Sequence, residues 1–136
     1  LGQTWSRPRV TLVNGYTNPV LVFGDATRLG QCVMNLLTNA AKFTPSGGSI
    51  QLHLSQHGAL ACLEVQDTGL GIEASNLERI FQLFVQERPS GLQGHSGLGL
   101  GLAISRQFAR AMRGDLRATS RLGAGSTFTL TLPRRR

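Results

Sequence analysis

Residues 60–71 have the sequence LACLEVQDTGLG, in which an apolar-rich segment runs directly into an aspartate and two glycines. The first seven residues predict a β-strand, so Asp67 stands at a strand end with its carboxylate at the edge of a sheet. Gly69 and Gly71 allow a backbone to approach a ligand closely. Because Asp-Thr-Gly also forms ordinary turns, this stretch alone leaves a ligand site and a simple turn both open.

On both sides of this stretch, apolar residues recur either at every second position, as in strands, or at helical spacing. Asp25 is placed to cap a helix that ends near Pro45, and Ser75 and Glu78 have capping-box spacing at the start of a short helix. The remaining elements are strands over 10–13, 20–23 and 50–54, a glycine-rich loop over 85–101, a helix over 102–112 and a hairpin around Gly123. This order predicts an α/β two-layer sandwich of a mixed, largely antiparallel sheet and about three helices.

Length and charge restrict the classes of function. The chain has 136 residues, 40% of them hydrophobic, which suffices for one core, and no apolar run approaches the ~18 residues of a membrane span. We expect one domain over residues 1–136, with a tail at 134–136, cut from a longer chain because it begins at Leu1. The net charge is +7, but no aromatic residues alternate with the arginines, so we do not expect nucleic acid as a partner.

Three polar residues recur at helical spacing in the first helix. Asn35, Asn39 and Lys42 stand at i, i+4 and i+7, which places them on one face, opposite the expected apolar stripe. An amide oxygen is a hard ligand that suits Mg²⁺, and a lysine beside it can neutralise phosphate charge. A plain solvent-facing side of the helix is the alternative.

A second glycine cluster precedes the last helix. Five glycines fall between Gly91 and Gly101, and the final stretch, Gly-Leu-Gly-Leu-Gly over 97–101, leads into a helix. Backbone amides at a helix N-terminus form an anion site that suits phosphate. The stretch lacks the lysine of a Walker loop and the preceding strand of a dinucleotide fingerprint. A flexible linker is the alternative interpretation.

In this order, the motifs resemble those of the catalytic and ATP-binding domain of sensor histidine kinases, whose superfamily includes the DNA gyrase and mismatch-repair ATPases. The resemblance covers nearly the whole chain and implies the Bergerat ATP-binding fold. It matches five segments to family motifs: the N box at 35–45, the first glycine box at 67–71, the F box at 80–86, the second glycine box at 97–101 and the closing box at 123–128.

The resemblance also implies roles for particular residues. Asp67 would accept the adenine amine, Asn39 would hold Mg²⁺, and Lys42 would reach the phosphates or ribose; Asn35, Asn39 and Lys42 would form the catalytic group. Arg88 and His95 would lie in a lid over 85–96. The residues implied to contact ATP are Asn35, Asn39, Lys42, Asp67, Gly69, Gly71, Ile72, Phe81, Phe84, Gly97, Leu98, Gly99, Leu100, Gly101 and Thr127.

One position favours phosphoryl transfer over hydrolysis. The ATPase branches usually have a glutamate where this chain has Asn35, and an amide cannot take a proton at neutral pH. The family's acceptor is a histidine followed by an acidic residue on a separate dimerisation domain, a pattern that His53, His57 and His95 do not fit. The alternatives are an ATP-hydrolysing member, a serine kinase of the same superfamily, and a degenerate interaction module.

The resemblance further implies partners and a location. The partners would be the dimerisation domain of the same kinase and the receiver domain of a response regulator. The domain would be monomeric alone and part of a homodimer at full length. It would lie on the cytoplasmic side of a bacterial sensor associated with the inner membrane.

Overall fold

A computed structural model describes residues 9–14, 20–45, 47–82 and 98–135. The described helices and strands are β1 (Arg9–Asn14), α1 (Ala26–Phe43), β2 (Ser49–His57), β3 (Leu60–Asp67), α2 (Leu98–Ala111), β4 (Asp115–Arg121) and β5 (Gly125–Pro133). Within these ranges, neither α-helix combines the length and apolar character needed to cross a membrane.

The described strands form one mixed sheet in the order β1-β2-β3-β5-β4. The pair β1 and β2 is parallel, while the pairs β2–β3, β3–β5 and β4–β5 are antiparallel. Both α-helices pack on one face of this sheet, so the predicted two-layer α/β sandwich is confirmed. The predicted strand over 20–23 is instead a single bridge between Val22 and Arg134.

The core lies between the helices and the inner face of the sheet. Side chains alternate along β2, β3, β4 and β5, so every second residue of these strands points inward. The members of this core include Cys32, Leu36 and Ala40 of α1, Leu102 and Ala109 of α2, and Ile50, Val65, Leu116, Phe128 and Leu130 of the sheet.

Helix α1 has the predicted boundaries, and local chemistry explains both. The carboxylate of Asp25 accepts hydrogen bonds from the backbone amides of Thr27 and Arg28, at 2.9 and 3.2 Å. At the other end, Thr44 adopts an extended conformation before Pro45, as a residue preceding proline prefers. The hydroxyl of Thr44 donates to the carbonyl of Ala40 at 2.7 Å and closes the last turn.

Two predictions about helices were wrong in detail. The predicted short helix is a pair of 3₁₀ turns, Ala74–Asn76 and Arg79–Phe81, and Glu73 at the first N-cap makes no side-chain capping bond. A segment this short forms too few hydrogen bonds to offset the unfavourable free energy of nucleating an α-helix. Helix α2 begins at Leu98 rather than at residue 102, so the first turn contains Gly99 and Gly101, which were expected in a loop.

Candidate functional site

Asp67 ends β3, the central strand of the sheet, and its side chain is only 5% exposed. Its Oδ1 atom accepts hydrogen bonds from the backbone amides of Gly69 at 2.8 Å and Ser126 at 3.3 Å. Both donors that the described residues supply therefore bind the same oxygen. The second oxygen, Oδ2, remains for a donor that a ligand brings.

The environment of Asp67 also changes its acidity. Burial raises the pKa of this carboxyl above its usual value because desolvation disfavours the charged form, and the two backbone amides oppose that effect only in part. The charged carboxylate is thus held at a cost to the stability of the folded chain. A ligand that donates a hydrogen bond to it would recover part of this cost.

A pH series on the nucleotide-free chain should show this cost. Folded Asp67 keeps its proton more strongly than unfolded Asp67, so its favourable contribution is complete below the ordinary pKa of about 3.9 and is lost as pH rises through the raised pKa. Relative to Asp67→Asn, the unaltered chain should therefore lose free energy of unfolding over that window, measured by urea denaturation. Parallel profiles for the two proteins would contradict the expectation.

The loop after Asp67 is held between α1 and the β4–β5 hairpin. The amide of Leu70 donates to the carbonyl of Phe43 at 3.3 Å, and the amide of Gly123 donates to the carbonyl of Leu70 at 2.9 Å. A Cβ atom at Gly69 would collide with the Phe43 carbonyl, and one at Gly71 would collide with the Arg121 carbonyl. This close packing brings the last turn of α1 against the Asp67 loop.

The polar row of α1 does not lie opposite the apolar stripe as the spacing predicted. Asn39 is only 4% exposed, Asn35 is half-buried, and Lys42 is exposed in the last turn. The helix contacts α2 as well as the sheet, so its buried arc is wider than one packing face. The two asparagines lie at the edge of this arc, where a ligand could contact them.

Asn39 presents a buried oxygen without a partner. Its Oδ1 atom accepts no hydrogen bond from the part of the chain that the structure describes. A buried amide oxygen left unsatisfied costs about 1–3 kcal/mol, so a native structure normally gives it a partner. Amide oxygen is among the ligands that Mg²⁺ accepts, and this donor therefore fits such a cation. The described residues contain no cluster of His, Cys, Asp or Glu that could hold a metal ion instead.

Asn35 joins the two α-helices. Its Nδ2 atom donates to the carbonyl of Gly101 at 3.2 Å and to the hydroxyl of Ser105 at 2.8 Å. A side-chain amide has two N–H groups, and both are used here, so only the Oδ1 atom remains for a ligand. The first turn of α2, whose amides lack intrahelical acceptors, is thereby fixed against α1.

Comparison with known proteins assigns the chain to a family. Residues 24–136 match the model of the histidine kinase-, DNA gyrase B- and HSP90-like ATPases. The chain belongs to this family. It is thus an ATP-binding domain of the histidine kinase-, DNA gyrase B- and HSP90-like ATPases, as the sequence motifs predicted.

Relatives within this ATPase family are sensor kinases. The chain is 40% identical to the autoinducer 2 sensor kinase/phosphatase LuxQ of Vibrio parahaemolyticus over 130 residues, which cover 91% of the chain and 15% of that protein. It is 43% identical to the aerobic respiration control sensor protein ArcB of Escherichia coli, over 84% of the chain and 15% of that protein. The chain thus spans about a seventh of the length of these relatives.

Solved structures of kinases share the ATPase fold. The mycobacterial sensor histidine kinase MprB superposes with a TM-score of 0.77 at 32% identity, over 93% of this chain and 82% of that one. Full-length ShkA in complex with AMPPNP gives the same TM-score at 31% identity, over 93% of this chain and 25% of that one.

Two further predicted residues of this ATPase domain lie beside the Asp67 loop and α2. The backbone amide of Ile72 donates to the hydroxyl of Ser120 at 2.7 Å. Phe81 is buried edge-on against Phe128, and the guanidinium of Arg106 lies 4.3 Å from the centre of its ring. The second 3₁₀ turn is thus tied to both the sheet and α2.

Thr127 lines the same cleft as Asp67, but its side chain lies on the opposite face of the sheet. It pairs with Gln66 and Thr119 on the outer face of the sheet, whereas Asp67 points inward. The inward residue at this point of β5 is Ser126, which the motif comparison missed. The alternation of Ser126, Phe128, Leu130 and Leu132 as buried residues is the signal that identifies it.

The remaining predicted residues belong to the segment that precedes α2 and to the start of that helix. Phe84, Arg88, His95 and Gly97 lie outside the described residues. For Leu98 and Leu100 the structure places the backbone in the first turn of α2.

Proposed function

We propose that this chain binds Mg-ATP and transfers the γ-phosphate to a histidine on a separate dimerisation domain of the same kinase. The nucleotide would lie between the Asp67 loop and the facing edges of α1 and α2. In this arrangement Asp67 accepts the adenine amine at Oδ2, and Gly69 and Gly71, whose close packing fixes the loop, lie beside the base. Ile72 and Phe81 support that end, and the partners are this dimerisation domain and a response regulator receiver domain.

The phosphate end of the proposed site is formed by α1 and α2. Asn39 would hold Mg²⁺ through its unpartnered Oδ1, with Asn35 beside it, and Lys42 would contribute positive charge. The cation would neutralise charge on the phosphates. The backbone amides of 98–101 at the start of α2, together with Gly97, would bind phosphate oxygens.

The observation that carries transfer rather than hydrolysis is the state of Asn35. Both of its N–H groups are donated to α2, and its oxygen is an amide oxygen that takes no proton at neutral pH. The site thus lacks a base at this position to activate water. The acceptor imidazole would attack the γ-phosphorus, the bond to the β-phosphate oxygen would break, and the imidazole proton would pass to solvent. Catalysis is then positioning and charge stabilisation.

Asn39→Ala tests the role of the buried oxygen. We expect ATP affinity in the presence of Mg²⁺ to fall by about tenfold or more, since one charge-assisted ligand is lost. With EDTA in place of Mg²⁺, the variant and the unaltered chain should bind ATP alike, measured by isothermal titration calorimetry. Asn76→Ala, in the first 3₁₀ turn, is the matched control and should bind as the unaltered chain does.

Phosphoryl transfer itself is tested in trans. The chain is mixed with a separately produced dimerisation domain of a relative and radiolabelled ATP, and acid-labile phosphate on the histidine is followed over time. Labelled histidine together with slow release of free phosphate supports the proposal. Rapid turnover of ATP to ADP by the chain alone would contradict it and favour a hydrolase.

A further inference from the structure

Two serine hydroxyls lie beside Asp67 and have no role in the function proposed above. Ser120 of β4 and Ser126 of β5 face each other across the hairpin, with their Oγ atoms 2.8 Å apart. Both residues line a cleft of about 260 Å³ at this end of the sheet, together with Asp67 and with Gln66, Thr119 and Thr127 of the outer face. Ser126 is 7% exposed, and its backbone amide is one of the two donors to Asp67 Oδ1.

The contacts of Ser120 determine where the hydroxyl protons lie. Its Oγ atom is 2.7 Å from the amide of Ile72, which can only donate, and 3.0 Å from the carbonyl of Gly125, which can only accept. A hydroxyl carries one proton, so Ser120 gives its proton to Gly125. The 2.8 Å contact with Ser126 is then a hydrogen bond only when Ser126 donates.

This arrangement fixes the polarity of Ser126. Its single proton is directed at Ser120, so only its lone pairs remain for a ligand in the cleft. Asp67 is likewise an acceptor at Oδ2, because Oδ1 is occupied by two backbone amides. Beside each other, the two side chains therefore offer acceptors and no donor.

We propose that Ser120 is a positioning residue that holds Ser126 as a hydrogen-bond acceptor and thereby makes the site select 6-amino purines over 6-oxo purines. This inference rests on the proposed function. An amino group at position 6 supplies N–H donors to both acceptors. An oxo group would face them with a third acceptor and leave buried polar atoms unpaired, which is how sites reject such analogues.

The test compares ATP with inosine triphosphate, in which an oxo group replaces the 6-amino group and an N–H replaces the bare nitrogen at position 1. The change at position 1 is common to every variant, so the ratio for each variant is compared with that of the unaltered chain. In Ser120→Ala the proton of Ser126 is released, so its hydroxyl can turn and donate to a 6-oxo group. We expect the ratio of the dissociation constants for inosine triphosphate and ATP to fall at least fivefold, with weaker ATP binding and equal or tighter binding of inosine triphosphate. Calorimetry with each Mg²⁺-nucleotide gives both constants.

Three further variants separate positioning from structural support. Ser126→Ala removes the acceptor without supplying a donor, so ATP binding should weaken while binding of inosine triphosphate stays unchanged. Ser120→Thr retains the hydroxyl and should restore the ratio. Thr129→Ala, on the outer face of the neighbouring strand β5 and outside the cleft, should leave both constants unchanged.

The outcomes are distinct. An equal loss of affinity for both nucleotides in Ser120→Ala, with the ratio unchanged, would show a merely structural role and overturn the inference. If Ser120→Ala does not fold, an unchanged preference in folded Ser126→Ala overturns it as well. Failure of the unaltered chain to bind ATP would overturn the proposed function itself, and this inference with it.

Discussion

Asp67→Asn should lower the affinity of the chain for ATP by about 100-fold or more. The backbone amides of Gly69 and Ser126 both donate to Oδ1, so the carbonyl oxygen of an asparagine must take that position. Its NH₂ group then replaces Oδ2 and meets the adenine amine donor to donor. The loss of a charge-assisted bond, about 1.5–3 kcal/mol, adds to this repulsion. Calorimetric titration with Mg-ATP measures the effect.

Asp25→Asn is the matched control for this substitution. Asp25 is the exposed N-cap of α1, and asparagine caps helices about as well as aspartate does. This variant should bind ATP normally. Thermal unfolding should show Asp67→Asn at least as stable as the unaltered chain near neutral pH, because the variant no longer buries a carboxylate. Normal ATP affinity in a folded Asp67→Asn would refute the role given to this carboxylate.

Gly71→Ala should be the most destabilising single methyl addition in the loop after Asp67. Gly71 has φ +79°, and its Cβ would collide with the backbone carbonyl of Arg121, which cannot rotate away. The left-handed conformation costs an L-residue about 1–2 kcal/mol, and overpacking adds about 1–3 kcal/mol. We expect a total near 3 kcal/mol, or a decrease of about 10 °C in Tm.

Gly123→Ala separates the cost of the left-handed backbone conformation from the cost of the steric collision. Gly123 has nearly the same backbone angle, φ +81°, but no atom lies within 4 Å of the position its Cβ would take. Its cost should therefore be only the conformational part, about 1–2 kcal/mol. Urea denaturation of both variants gives the difference. Equal costs for the two substitutions would mean that the loop moves to relieve the collision.

The elements that the sequence predicted well are those that local chemistry determines. Asp25 and Pro45 bound α1, and alternating apolar residues identify the strands of the sheet and the final hairpin. The start of α2 could not be predicted in this way because glycine is a poor helix residue. Its first turn is held by a tertiary contact, the bond from Asn35 to the Gly101 carbonyl, which local sequence does not show.

The same division applies to the candidate site. Asp67 and the two glycines after it could be singled out from the sequence because their spacing is itself the motif. Ser126 and Thr127 are neighbours in the closing box at 123–128. Only the strand register decides that Ser126, and not Thr127, points to the side of Asp67. The hydroxyl of Ser120 matters through its partners Ile72 and Gly125, which depend on how the hairpin packs against the loop.

Because β3 is the central strand, we expect amide hydrogen exchange to be slower at the Asp67 end of the site than at the start of α2. Asp67 lies on a strand that pairs with β2 on one side and β5 on the other, so amide hydrogens at its end exchange with solvent only when the sheet itself opens. The first amides of α2 lack intrahelical acceptors and exchange by local fraying. A ligand that spans both ends should therefore add its protection almost entirely at the helical end, while in the proposed arrangement the base meets a surface that is already formed.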